Sequence, residues 1–336
     1  MRRATTLLGI AGLLAATALF LWQGVAPVLG AFAAAGIGIL WASLFHFVAM
    51  ALNARAWQVL LPARRRASVA FFLWAVWLRE SVNGLLPVAR IGGEVASVRL
   101  LMQHGMRAPK AVASLVVDMT ASLVSQAAFT LLGLALLLAD GAGGDLVGDV
   151  ALGLIATLPL IAALALVQRA GVFGLLARLF RLLFGDRFDA LVGGAAPLDR
   201  AVRRLYRRRA ALAACFLWQI AGWVAGAGEV WLALVYLGHP VGFADAVIIE
   251  AMIQALSSSA FLVPGALGIQ EGGFLVMGSV IGLSPEVSLA LALARRARDV
   301  IVFMPALIAW QFGIGRRALR QPDRDTRRSA ADRFSV

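Results

Sequence analysis

Pro87-Val-Ala-Arg-Ile-Gly-Gly-Glu94 and Pro264-Gly-Ala-Leu-Gly-Ile-Gln-Glu271 are the two stretches whose reading decides the fold. In each, a glutamate stands seven residues after a proline. A glycine stands eleven residues beyond the glutamate (Gly105, Gly282), and a proline follows shortly after (Pro109, Pro285). Both stretches interrupt long apolar segments, 68–101 and 243–283, at Asn83-Gly-Leu-Leu-Pro87 and at Phe261-Leu-Val-Pro-Gly265. Proline removes a backbone donor and breaks a helix. Broken backbone at membrane depth is tolerated only where it is buried in protein or lines a cavity. The two segments therefore read as re-entrant hairpins of paired half-helices. The breaks fall at Asn83, Pro87, Gly92 and Gly93 in the first and at Pro264, Gly268, Gly272 and Gly273 in the second.

Around the hairpins lie six uninterrupted apolar runs, 5–22, 30–52, 111–139, 146–167, 210–237 and 287–312. Each is near the length of about 20 residues that crosses a hydrocarbon core. Of the 336 residues, 61% are hydrophobic and only 15% are charged, against about 25% charged in a soluble domain. With a mean hydropathy of +0.85, this excludes a disordered chain, a small disulfide scaffold and most soluble enzymes. Cys215 is the single cysteine, so no internal disulfide, CxxC pair or zinc cluster is possible. The fold expected is an all-α integral membrane bundle of about six spans plus two hairpins.

Charge orients that bundle. The net charge is +13, and Lys110 is the only lysine among 31 basic residues. Arg2 and Arg3 precede the first run, four arginines lie in 54–67, and Arg99, Arg107 and Lys110 follow the first hairpin. Ten more occupy 168–209 and seven lie from Arg316 onward, whereas 23–29, 140–146 and 238–242 carry none. By the positive-inside rule, both termini and every basic connection are cytoplasmic. The apolar run after Arg2-Arg3 resembles a signal peptide, but no small-x-small cleavage site follows it, and it reads as a helix. Basic residues interleaved with spans also argue against a nucleic-acid partner. The ten in 168–209 are expected to anchor that connection to anionic lipid.

The order span, span, hairpin, span then occurs twice, once starting inside and once outside, which is an inverted 4+4 repeat. The first repeat is 1–139 and the second 140–312, with a basic cytoplasmic tail at 313–336. Inverted repeats with broken helices are a recurring transporter design, the substrate site lying at the repeat interface.

Charges at membrane depth are costly, about 2.5–3.5 kcal/mol each on the insertion scale, and are expected to face the bundle interior. Candidates are Arg79, Glu80, Arg90, Glu94, Asp118, Glu271, Arg295, Arg298 and Asp299, with Arg296, Glu229 and Glu250 alongside. Arg295 and Asp299 are spaced i,i+4 and share a helix face. Arginines suit a phosphate or another anionic headgroup, and a glutamate in a low-dielectric site is a candidate proton carrier. The competing reading is a set of buried ion pairs that fix the hairpins and bind no ligand. That reading is preferred for Glu229 and Glu250, which have no counterpart in the other repeat. Residues 274–294 form an alternative span that would move Arg295–Asp299 to an interface.

Other motifs are missing. The chain has no GxxxxGKS loop and no HExxH. His46, His104 and His239 are scattered, so neither a metal site nor a cofactor is expected. Asp323-Arg-Asp325 lies in the arginine-rich tail and reads as a solvated segment. Ser257-Ser-Ser259 reads as a helix end satisfying freed carbonyls, and no catalytic residue is assigned.

At the hairpins the sequence resembles a known family. Asn83–Glu94 and Val263–Gly273 are similar to the two signature stretches of the lysylphosphatidylglycerol synthase transmembrane-region family, whose members are polytopic and flippase-like. Residues 263–311, including Leu291-Ala-Leu-Ala-Arg-Arg-Ala-Arg-Asp299, look closest to a bacterial subset associated with hopanoid biosynthesis. The resemblance implies a multi-pass protein of the bacterial inner membrane that translocates or presents an amphipathic lipid. Its partners would be a hopanoid or an anionic or polyprenyl-type lipid, and other lipid-biosynthesis proteins. The family pattern falls on Pro87, Gly92, Gly93, Glu94 and Asp118, then on Pro264, Gly268, Glu271 and Arg295. Met119 departs from it, standing where an arginine is favoured. The large soluble aminoacyl-transfer domain of the full synthases is not expected here. Three rivals remain at this stage: an intramembrane transferase using a lipid-linked donor, a non-catalytic scaffold for hopanoid enzymes, and a proton-coupled transporter for a soluble solute, against which only the resemblance argues.

Overall fold

The computed structural model describes residue 33 and residues 35–62, 67–86, 92–139, 195–259 and 269–320, with side chains up to Phe312. The runs at 5–22 and 146–167, most of the 168–209 connection, and Pro87, Arg90, Pro264 and Gly268 lie outside the described residues. Every regular element among the described residues is an α-helix. In chain order these are α1 (Gly38–Val59), α2 (Val69–Leu85), α3 (Gly92–Gln103), α4 (Ala108–Ala139) and α5 (Ala195–Tyr206). They continue with α6 (Arg209–Tyr236), α7 (Phe243–Ser259), α8 (Ile269–Val280) and α9 (Pro285–Arg320). Helices α1, α4 and α6 are each long and apolar enough to cross a membrane. Helix α1 ends seven residues beyond the apolar run at 30–52, because Ala54, Ala56 and Trp57 extend its buried face past Asn53.

Each expected hairpin contains two short helices. Helix α2 has 17 residues and α3 has 12, about 25 and 18 Å long at 1.5 Å per residue. Ser68 starts α2, its hydroxyl accepting from the Phe71 N–H at 3.1 Å. Glycine ends α3 and α8: Gly105 and Gly282 have φ of +89° and +78°. Each is followed by a residue whose N–H reaches back five positions, Met106 to Leu101 and Leu283 to Gly278. These are Schellman closures, which a left-handed glycine permits. The turn at Gly282 also splits 274–294, so that stretch is not one span.

Small residues set the closest helix contacts, as expected where lipid supplies little drive for association. A Cβ on Gly38 would meet Tyr236, one on Gly228 would meet Phe45, and one on Gly222 would meet Asn53. Those three contacts run antiparallel along α1 and α6. Gly133 of α4 meets Ala251 of α7 in the same way. Further interfaces join α1 to α2, α6 to α7, α2 to α9, α4 to α6, and α1 to α9. In α5, Leu198, Val202 and Leu205 are buried in the cluster that holds Trp57, Phe72 and Leu101. Helix α5 thus packs on the bundle through its apolar face. Residues of the 61–67, 104–110 and 197–208 connections border one cavity, so these basic connections meet at one end of the bundle.

Candidate functional site

Polar side chains from six helices meet inside the bundle. Arg79, Asp118 and Arg295 each stand ten residues past the start of their helix (69 to 79, 108 to 118, 285 to 295). That is about 15 Å along the axis, half the thickness of a hydrocarbon core. Asp118 on α4 is 1% exposed and Glu250 on α7 is 2% exposed, so neither is neutralised by water.

In the first half, Arg79 Nη1 donates to Asp118 Oδ2 at 3.0 Å. Gln219 Nε2 of α6 donates to the other carboxylate oxygen at 3.1 Å. The Arg79 guanidinium lies 5.3 Å from the Trp57 ring centroid, where a ring face attracts a cation. In the second half, the Arg295 guanidinium is ion-paired with Glu250 of α7 and lies 3.4 Å from Glu229 of α6. Gln254 Nε2 donates to the free oxygen of Glu250 at 2.8 Å. Each half therefore ties the first half-helix of its hairpin to the following long span by one ion pair. The polarity is reversed between halves: the cation is on the hairpin in the first and on the long span in the second.

His46 of α1 joins the two. Its Nδ1 lies 2.7 Å from Glu229 Oε2 and its Nε2 3.3 Å from Glu80 Oε2. Glu80 is the neighbour of Arg79 in α2. Arg298 Nη1 sits 2.8 and 3.0 Å from the two ring nitrogens, and its Nη2 pairs with Asp299 at 2.9 Å. The polar contacts thus run from Glu80 through His46 and Glu229 to Arg295 and Glu250, and the Arg79–Asp118 pair lies within electrostatic reach of Glu80.

The hairpin glutamates lie apart from this chain, each within its own hairpin or next to it. Asn83 Nδ2 donates to both oxygens of Glu94, at 3.0 and 3.2 Å, while Asn83 Oδ1 accepts the Gly93 N–H at 2.9 Å. Those bonds clamp α2 to the first turn of α3. Gly93 allows the approach, since a Cβ there would collide with the Arg79 carbonyl and with Asn83. Glu271 pairs with Arg296 of α9 at 2.9 Å. Gly272 has open space around it, whereas Gly273 faces Ile253 and Leu256 of α7.

Of the sequence candidates, the structure joins Arg79, Glu80, Asp118, Arg295, Arg298 and Asp299 in or beside one network. It places Glu94 and Glu271 at the hairpins. Arg295 and Asp299 do share a helix turn, but Asp299 pairs with Arg298 and Arg295 turns to α6 and α7. Glu229 and Glu250, read from sequence as members of buried ion pairs, are the carboxylates that neutralise Arg295. His46 and Gln219 were missed. The available signal was charge balance: four arginines on α2 and α9 (Arg79, Arg295, Arg296 and Arg298) outnumber the two carboxylates beside them on the same helices, Glu80 and Asp299. Among the described residues no group of acidic, histidine and cysteine side chains is arranged to hold a metal ion.

Long apolar helices around a buried, ion-paired polar interior define a helical membrane protein. The chain belongs to the family described as lysylphosphatidylglycerol synthase TM region, whose model matches residues 9–306. That membership ties the membrane bundle to lipid. No curated protein and no solved structure matches the chain.

Proposed function

We propose that this protein is a flippase-like carrier that translocates or presents an amphipathic lipid in the bacterial inner membrane, in hopanoid or related lipid biosynthesis. The observation that carries the reading is the network of buried ion pairs linking both halves at membrane depth. Isolated charges there are costly, so the pairs keep one another satisfied while the bundle is closed. A charged headgroup offers replacement partners, and so lets the pairs open without leaving a bare charge. Arg79, Arg90, Arg295 and Arg298 are the proposed headgroup ligands. Glu94 and Glu271 hold each hairpin and gate access, carrying protons where coupling requires it.

The mechanism includes an inverted repeat, a reading that the helix contacts support. Pairing α1 with α6, α2 with α7, α3 with α8 and α4 with α9 carries the principal contacts among these eight helices onto one another. For example, α2 against α9 becomes α7 against α4, and α1 against α9 becomes α6 against α4. The matched positive-φ glycines Gly105 and Gly282 and the matched depths of Asp118 and Arg295 fit the same pairing. A repeat of this form offers two packings related by its own pseudo-symmetry, as alternating access needs. The cluster of basic connections at one bundle end agrees with cytoplasmic termini.

The test is a deletion strain compared with its parent, by total lipid inventory and by leaflet labelling of the same cells. Transport predicts an unchanged inventory with one lipid misplaced, restored by the parent gene and not by an Asp118→Asn, Glu229→Gln double variant that inserts normally. Loss of one lipid with build-up of its precursor would overturn transport in favour of lipid modification. Full rescue by the double variant would overturn the assigned site.

A further inference from the structure

A second charged site lies at the end of the bundle, built on the opposite logic from the first. In the interior, Arg79, Arg295, Arg296 and Arg298 each face a carboxylate. At the end where the basic connections meet there is a cavity of about 520 Å³ bordered by Arg107, Lys110, Arg200, Arg204 and Arg208, with no acidic residue among the described residues of its lining. Arg208 is committed to the wall, donating to the Leu60 carbonyl. The other four have no carboxylate partner among the described residues. Four like charges brought around one cavity repel one another, and an anion between them removes the repulsion.

The way the cations are held makes this a site and not a diffuse basic surface. Arg200 and Arg204 are spaced i,i+4 on α5, whose other face is anchored by Leu198, Val202 and Leu205. Arg107 and Lys110 sit at the start of α4, fixed by the Gly105 turn and by the Lys110 N–H bond to the Arg107 carbonyl at 2.9 Å. The positive end of the α4 dipole adds to the same field. The remaining wall is apolar: Phe71 and Leu101 border the cavity, and His104 stacks on Phe71 with ring centroids 4.2 Å apart.

We infer that this cavity binds the phosphate of an anionic lipid headgroup, best matched by a phosphomonoester, with the Phe71–Leu101 wall taking the first carbons of its tails. The volume lies within the range of about 300–1,000 Å³ usual for ligand sites. Planar guanidinium forks from two elements suit a tetrahedral phosphate. The apolar wall favours a lipid over a free phosphate. The site shares no residue with the interior network, so it stands or falls separately from the translocation reading.

The test is native mass spectrometry of the purified full-length protein titrated with dioleoyl phosphatidic acid, with dioleoyl phosphatidylcholine as the reference lipid. The expected result is selective binding of phosphatidic acid. Each cation near an anionic headgroup contributes roughly fivefold, so Arg200→Gln/Arg204→Gln should weaken binding about 25-fold. Arg107→Gln/Lys110→Gln should weaken it similarly, because its two charges lie on a different wall. Arg207→Gln/Arg209→Gln removes the same charge from outside the cavity and should bind like the parent. Equal binding of the two lipids, or equal losses in all three variants, would overturn the inference. Displacement of phosphatidic acid by glycerol 3-phosphate or inorganic phosphate at matched concentration would replace the lipid with a soluble phosphate as the ligand.

Discussion

Replacing Arg295 with methionine removes the cation that holds Glu250 and Glu229 together. Glu250 is 2% exposed and Glu229 6% exposed, and Arg295 itself is 6% exposed, so water cannot take over its role. The variant keeps most of the apolar stem, so the loss is mainly electrostatic. Glu229 retains His46 and Arg298 as partners, at 2.7 Å and 3.6 Å, whereas Glu250 is left with the amide of Gln254. Breaking a buried pair by removing one partner typically costs about 3–5 kcal/mol, whereas replacing both with apolar groups of similar volume is often near neutral. Arg295→Met should therefore unfold far more readily in detergent than Arg295→Met/Glu250→Met. The two substitutions should couple by about 2–3 kcal/mol in a double-mutant cycle read from denaturant midpoints. A single variant as stable as the parent, or a coupling near zero, would refute the view that Arg295 and Glu250 neutralise each other inside the bundle.

Other substitutions probe the remaining parts. Gly93→Ala places a methyl group against the Arg79 carbonyl and the Asn83 side chain. It should cost about 1–3 kcal/mol through overpacking, seen as a lower thermal midpoint, whereas Gly272→Ala, in a helix with open space at its Cβ, should stabilise by about 0.4–1 kcal/mol. Gly105→Ala and Gly282→Ala meet no neighbour, so each should lose about 1–2 kcal/mol from the left-handed backbone alone, and by similar amounts. Asp118→Asn leaves Arg79 without its carboxylate; the protein should still insert, with reduced transport in leaflet labelling. Gly222→Leu should separate α1 from α6 at Asn53 and abolish folded protein, measured as loss of a monodisperse peak in size-exclusion chromatography.

The half-helices were legible in sequence because proline and glycine act locally: one helix ends at Leu85 and the next starts at Gly92, and likewise at Ser259 and Ile269, around the two Pro/Gly stretches. The depth of Asp118 and Arg295 was legible too, since counting along an apolar run needs only helix rise. Which charge meets which was not. His46 and Glu229 are 183 residues apart, and their contact depends on α1 and α6 packing antiparallel through Gly222 and Gly228. No local signal carries that. Glu250 read as part of a buried ion pair, but its partner, Arg295 on α9, was not legible for the same reason. Helix α5 misled in the other direction. Its arginines suggested an anchor in lipid, yet Leu198, Val202 and Leu205 commit it to the bundle and turn two of those arginines toward a cavity.

The most direct measurement of the central claim is movement of lipid by the protein itself. Purified protein reconstituted into sealed vesicles, with a headgroup-labelled amphipathic lipid in both leaflets, is exposed to a membrane-impermeant quencher. The account predicts quenching well beyond the outer-leaflet half, lost in Arg295→Met and not regained in Arg295→Met/Glu250→Met, whose interior is neutral but lacks the headgroup-binding cation. Quenching that stops at the outer-leaflet half with the parent protein, across phosphate-bearing and hopanoid lipids alike, would contradict it.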